Sequence, residues 1–286
     1  MEILKSSESE WKAHIDSLSK GTVISDRAEA IRLLKEKLTL AVEKLTAEKF
    51  GILFSGGVDS TVIAAICKSL GKEFNCYTVG IRGSKDIEAA EEIAKQLGLN
   101  LVKKELTLNE IDSFLKKAVK ILPLKDVVNS EVATVEFAAI DLAKKNGDTS
   151  LFSGLGSEEI FAGYHRHKEA SNVNEECWRG LKAIWKRDLQ REAAISAAEN
   201  VKLLTPFLDD ELITAAMQIP GEWKISSTEK KIILREAAVE LGVPKEFAFR
   251  KKLAAQYGSS ISKAVEKISK EKGFKLRNDY LDSLQT

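Results

Sequence analysis

The 286 residues carry 44 Lys plus Arg against 43 Asp plus Glu, and 44% of them are hydrophobic. That is enough apolar matter for one large domain or two small ones, and the even charge argues against a dedicated nucleic-acid binder, leaving room only for a local basic patch. No apolar run approaches the ~20 residues of a membrane span, the Met1-Glu2-Ile3-Leu4 start does not read as a signal peptide, and Cys67, Cys76 and Cys177 have no C-x-x-C spacing, which predicts structural thiols in a reducing, cytoplasmic setting.

Residues up to about Ala47 predict helix, through Trp11, Ile15 and Leu18 and then a 3.6-residue apolar pattern over 28–45. Residues 50–54 read as a buried strand with a helix over 61–70 after it. Strands are expected at 74–81 and 99–106, with a helix over 86–97 between them. Helices over 108–119 and 129–145 lead to a short fourth strand, Ser150–Phe152. Beyond about Lys168 the strand signals fade, and 177–198, 209–218, 228–241 and 261–270 predict helices. Strands alternating with helices imply an α/β fold, a parallel sheet sandwiched by helices, with a mostly helical carboxyl third. The expected division is a helical segment over 1–47, a nucleotide-binding core over 48–168 and a helical region over 169–286. There is no internal repeat and no low-complexity linker.

The stretch Ser55-Gly56-Gly57-Val58-Asp59-Ser60 falls between the first strand and its helix. Adjacent glycines let the backbone approach a ligand closely, and the N–H groups opening the next helix favour an anion. Hydroxyls at Ser55, Ser60 and Thr61 add donors, and Asp59 offers a carboxylate to Mg2+. Together they read as a phosphate cradle, although the Gly-Lys-Ser/Thr ending of the common P-loop is absent. The bland alternative is a Ser/Gly turn that touches nothing. Ligands of parallel sheets bind beyond the carboxyl ends of the strands. The 80–86 and 153–159 segments share that end with the cradle.

SGGVDS resembles the PP-loop of ATP pyrophosphatases, which cleave ATP between the α- and β-phosphates. Four further blocks narrow the resemblance: TVGIRGSKDIEAAEEIAKQLGL, LFSGLGSEEIFAGYHRH, the run from LQREAAISAAEN to TPFLDDELITAAMQIP, and EKKIILREAAVELGVP followed by RKKLAAQYGSS. In this order, over roughly 30–262, they are similar to the synthetase domain of asparagine synthetase. GLGSEEIFAGYHRH and KKLAAQYGS are most similar to the asparagine synthetase domain-containing protein 1 branch.

The resemblance implies the PP-loop fold of adenine nucleotide α-hydrolases and an ATP-dependent amide ligase. It implies pyrophosphate on Ser55, Gly56, Gly57, Asp59 and Ser60, and adenine held at Phe54, Val79, Ser153 and Gly154. Mg2+ would be held by Asp59 and Glu158, and Lys252, after Arg250, would contact phosphate. A substrate carboxylate would attack the α-phosphate, and ammonia or an amine would then displace AMP from the acyl-adenylate. A closed pocket would shield that anhydride from water.

Three departures qualify this. Asparagine-forming members read SGEGSDE where this chain has Ser153-Gly154-Leu155-Gly156-Ser157-Glu158-Glu159, so a carboxylate becomes Leu155, which can accept no proton. The family's E-x-R before P-F-L-D becomes Lys202-Leu203-Leu204. The chain opens at Met1-Glu2-Ile3 with no amidotransferase domain before the synthetase-like region, so the expected nitrogen source is free ammonia, another amine or a separate amidotransferase subunit. A homodimer stays open.

Smaller signals keep two readings each. His165 and His167 are too few for zinc alone and suit a pocket rim or a supporting role. Tyr164 either packs at the pocket or is a core tyrosine, and Asp86 either caps its helix or enters the pocket. Arg250-Lys251-Lys252 is either a solvated charge run or, with the resemblance, a phosphate contact at Lys252. Asp86, Leu155 and Tyr164 are thus candidate substrate-pocket residues, and Lys252 and Glu158 candidate catalytic ones. Two rival functions remain: a nucleotide-binding regulatory or scaffold protein, and another PP-loop enzyme such as a tRNA-modifying synthetase.

Overall fold

The computed structural model describes residues 7–18 and 21–285; the Met1-Glu2-Ile3-Leu4 start lies outside them. Five strands form one sheet: β1 (Gly51–Leu53), β2 (Asn75–Gly80), β3 (Asn100–Glu105), β4 (Ser150–Phe152) and β5 (Lys202–Leu204). All neighbours run parallel, in the order β3-β2-β1-β4-β5. The register sets Ile52 beside Cys76 on one side and beside Phe152 on the other. The four predicted strands are present. The fifth is a correction: the carboxyl third supplies one strand, and β5 pairs Leu204 with Phe152. Three residues after a helix carry no legible alternation, so pairing rather than local pattern makes this strand.

Helices cover both faces because successive strand residues point to opposite sides. Cys76 packs with Ile63 and Ile93 in the core cluster beneath the helices Arg27–Leu45, Val58–Ser69 and Lys85–Leu97. Tyr77 packs with Phe137 and Leu151 under the helix Val127–Lys145. Burying each such large apolar side chain stabilises by roughly 1.5–3 kcal/mol. The local signals agree with the packing. Asp26 accepts Glu29 N–H at 2.8 Å and starts the Arg27–Leu45 helix, whose Ala30, Leu34, Leu38 and Ala41 form the buried stripe. The helix expected without a break over 177–198 is interrupted: an α-helix Val173–Ile184 continues as a π-helical turn, Trp185–Leu189, then α-helix Gln190–Glu199. No helix among the described residues is long and apolar enough to cross a membrane.

Candidate active site

β1 continues to β2 on one side, whereas β4 and β5 lie on the other. The carboxyl ends of β1 and β4 therefore flank a topological switch point, where adjacent loops diverge and open a crevice. A cavity of about 450 Å³ lies there. Phe54, Ser55, Asp59 and Ser60 line it from the β1 side, and Ser153, Gly154, Leu155 and Glu158 from the β4 side. Val79 and Asp86 reach it from β2 and the helix after β2, and Tyr164 and Lys252 line it too; of the predicted site residues, Gly56 and Gly57 are not among the lining ones.

Gly56 and Gly57 shape the loop itself. Gly57 is the N-cap of the Val58–Ser69 helix and offers no side-chain capping bond, so the helix-opening N–H groups stay available to a ligand. A Cβ at 57 would come within 2.5 Å of Lys252 Cδ, so glycine lets this lysine lie on the loop. The Gly56 carbonyl accepts Arg250 Nε at 3.2 Å and Nη2 at 2.9 Å, tying the loop to the segment that carries Lys252. Not all the expected hydroxyl donors are available outward. Thr61 Oγ1 donates to Gly57 O at 2.8 Å and Ser60 Oγ to the same oxygen at 3.2 Å, so both brace the turn.

The strongest electrostatic feature is one the sequence reading did not assign. Lys231 is buried and ligated on all sides: its Nζ donates to Asp59 Oδ1 at 2.8 Å and Oδ2 at 2.9 Å, and to Ser157 Oγ at 2.9 Å. It also pairs with Glu158 Oε1 at 2.7 Å. Ser157 Oγ in turn donates to Asp59. Burial pushes the Asp59 carboxyl up, but the Lys231 charge and these hydrogen bonds outweigh it and hold it below the usual carboxylate range. Burial opposes the Lys231 ammonium, and Asp59 and Glu158 reverse that and raise it. A Cβ at Gly163 would overlap Glu158 Oε2, so glycine leaves this carboxylate room to reach Lys231. Hard oxygen donors thus already surround one cationic atom. That donor set fits Mg2+, which binds through one or two carboxylates plus substrate phosphate. Among the described residues there is no cluster of three or more acidic, His or Cys side chains that would make a closed metal cage.

Asp86 is not a cap. Ser84 holds the N-cap position and makes no side-chain capping bond, while Asp86 is 4% exposed and borders the cavity. Burial pushes its carboxyl up to about 6, against the opposing pull of Lys252 and Arg250. Gln256, also lining the cavity, is buried and its Oε1 has no donor.

At the other end, the π-helical turn brings charge into the wall. Arg187 Nη2 donates to Glu159 Oε1 at 3.1 Å and to the Tyr164 hydroxyl at 3.2 Å, and pairs with Asp188. Arg166 lies 4.1 Å over the Tyr164 ring, so this tyrosine is clamped between guanidiniums rather than packed in an apolar core. Arg191 bonds Asp188 Oδ1 at 3.0 Å, Glu192 Oε1 at 3.0 Å, Asn129 Oδ1 at 3.1 Å and Glu136 Oε2 at 3.3 Å. A single π turn adds a residue to the helical repeat and often marks a functional site.

Other signals stay outside. His165 is exposed and pairs with Glu169, while His167 is buried and accepts Tyr164 N–H at 3.1 Å through Nδ1; the pair forms no joint site. All three cysteines are buried and free. Burial pushes Cys67 up to about 12 and raises Cys76 and Cys177 as well, so none is poised as a nucleophile.

The family model "Asparagine synthase" matches residues 33–176 and 168–282. A Methanocaldococcus jannaschii protein, provisionally named asparagine synthetase 1, glutamine-hydrolyzing, is 31% identical over 89% of this chain and 54% of its own length. Glutamine-hydrolyzing asparagine synthetase 2 of Oryza sativa subsp. japonica is 30% identical over 77% of this chain and 41% of its own. The chain therefore spans about half the length of the curated relatives it matches. Among solved structures, NMN synthetase from Francisella tularensis aligns over 92% of this chain and 94% of its own at 13% identity and a TM-score of 0.47. With most of its length matched by that one family model, this chain belongs to the asparagine synthase family.

Proposed function

We propose that the chain is an ATP-dependent amide ligase that activates a carboxylate as an acyl-adenylate and passes it to ammonia or an amine. One observation carries this reading: an uncapped helix start at Gly57 meets the Asp59–Lys231–Glu158 cluster, with Lys252 lying on the same loop. The helix N–H groups and Lys252 would hold the pyrophosphate part of ATP. Phe54 and Val79 offer an apolar edge to the base, with the Ser153 and Gly154 backbone beside it. Gln256 offers a buried acceptor to a donor on the nucleoside. Asp59, Glu158 and Ser157 would hold Mg2+, which when bound offsets charge on the departing pyrophosphate. Lys231 holds the Asp59 carboxyl ionised and draws Glu158 to the same point.

In the first step a substrate carboxylate oxygen attacks the α-phosphorus and the bond to the bridging oxygen breaks, freeing pyrophosphate. In the second, the nitrogen attacks the acyl carbon, the bond to the AMP oxygen breaks and the nitrogen sheds a proton. The nitrogen would arrive free or from a separate amidotransferase subunit. The test is ATP–pyrophosphate exchange over a panel of amino acids, followed by product analysis. AMP and pyrophosphate are expected, and ADP is not. A second reading, nucleotide binding without ligase chemistry, draws on Leu155, half-buried at the cavity where a carboxylate would stand. Tight ATP binding with no AMP from any acid and amine would favour it over the first.

A further inference from the structure

The wall of the cavity built from the helices Val127–Lys145, Ser157–Ile160 and Gln190–Glu199 and the π turn is more acidic than its own pairing requires. Counted as ionised, Glu136, Glu159, Asp188 and Glu192 face Arg187 and Arg191 with an excess of two negative charges, which protons on Glu192 and, as the pH falls through about 7, on Glu159 reduce, because burial raises both carboxyls. Lys230, half-buried and also lining the cavity, leaves an excess of one. The formal excess is not spread over solvent: Arg191 and Glu192 are 8% and 1% exposed. Glu192 gives the second, independent observation. Its Oε1 accepts Arg191 Nη2, but its Oε2 is buried at the cavity and has no donor. Its neighbour Glu136 is another carboxylate, so within the protein only a shared proton can bridge the two.

A buried acceptor without a donor costs about 1–3 kcal/mol. A fold built for stability alone would put an apolar or amide side chain there. Burial, with Glu136's charge behind it, pushes the Glu192 carboxyl well above the usual carboxylate range although Arg191 pulls it down. The site therefore holds a proton where a ligand's N–H donor would serve better.

Resting on the ligase reading above, we propose that the acid activated here carries a cationic group, an ammonium or guanidinium, at the end remote from its reacting carboxylate, and that Glu192 with Glu136 receives it. The carboxylate end would face Lys252 and the Asp59–Glu158 pair. The cationic end would supply the donor that Glu192 Oε2 lacks and would take the place of the proton now held there. Leu155 between the two ends then acts as an apolar spacer beside an aliphatic stem, not as a failed catalytic acid.

The test uses three amino acids of similar length: lysine, norleucine and glutamate. Binding to the whole chain is measured by calorimetry with Mg2+ and a non-hydrolysable ATP analogue. Lysine is expected to bind at least ten times more tightly than norleucine, with glutamate weakest. Glu192→Gln, which keeps the volume and removes the charge, should bring lysine to within three-fold of norleucine and leave the Tm unchanged or higher. Lysine binding no better than norleucine, or glutamate binding best, overturns the proposal. Should Glu192→Gln fail to fold, Glu136→Gln with the same three ligands decides the question in the same way. Pyrophosphate exchange with the same acids separates the two ideas. Selective lysine binding with no exchange from any acid retains the cationic pocket and sinks the ligase reading. Exchange with glutamate but not lysine does the reverse.

Discussion

The two ends of the cavity are built from different materials. The end we propose for the nucleotide is mostly backbone: a glycine turn, uncapped helix N–H groups and one strand end, with few charged side chains held by short bonds. The far end is mostly side chain, two arginines and four carboxylates on three helices and a π turn. Backbone recognition suits the part of a reaction that never changes, the nucleotide. Side-chain recognition can be rewritten by single substitutions and suits the part that differs between relatives. The Asp59–Lys231–Glu158 cluster sits between the two and belongs to neither alone.

Removing Lys252 should have the largest effect and should fall on the nucleotide end alone. Lys252→Ala is expected to lower pyrophosphate exchange by about 10²–10³-fold, roughly 3–4 kcal/mol of barrier. The side chain is exposed, so the urea midpoint should hold within roughly 0.5 kcal/mol. An unchanged exchange rate would remove Lys252 from the chemistry and leave Arg250's hold on Gly56 as the segment's role. Lys231→Met comes next and probes the junction. It leaves Asp59 and Glu158 buried or half-buried without their shared cation, at a cost of about 3 kcal/mol. Millimolar Mg2+ should recover part of that loss, and EDTA should restore it in full. Denaturation curves with and without the metal read this directly; equal losses in both would mean the oxygen cluster is no Mg2+ site.

The contrast also explains what the sequence disclosed. The glycine turn was legible as a candidate cradle because glycine pairs between a strand and a helix have few uses, and Ser153 and Gly154 share the strand-end position that parallel sheets assign to ligands. Asp86 followed from the same placement, whereas Phe54 and Val79 came from the family resemblance; all three border the cavity. Lys231 was not legible. It stands in the run Glu229-Lys230-Lys231, which in sequence looks like any solvated charge cluster, and only a long-range contact with Asp59 buries it. Asp188, Arg191 and Glu192 were hidden for a related reason. Helical periodicity assigns charged positions to water, and it cannot distinguish water outside the protein from a cavity within it. β5 was missed because three residues show no period, and its identity comes from β4 beside it.

The smallest effect tests whether the nucleotide end carries a stability cost for its function. Asp86 is buried, and its carboxyl lies at about 6 instead of in the ordinary range. The folded chain therefore holds this proton more tightly than the unfolded chain does. Asp86 contributes its full stability below about pH 4, where both states are protonated, and that contribution is lost as the pH rises through about 6. Above that, the fold carries a buried carboxylate whose nearest countercharges, on Lys252 and Arg250, offset burial only in part. Asp86→Asn removes the ionisation and should stabilise the protein by roughly 2–3 kcal/mol at pH 8, since holding a proton about a hundredfold more tightly is worth about 2.7 kcal/mol. The gain should vanish by pH 4. Thermal melts of both proteins across that range give the answer, and a gain that is the same at pH 4 and pH 8 would mean that packing, not charge, is responsible. If the pH-dependent gain comes with weaker ATP binding, Asp86 is retained for the ligand at the expense of the fold, as Glu192 is at the opposite end; if ATP binding is untouched, the two ends differ in this respect also.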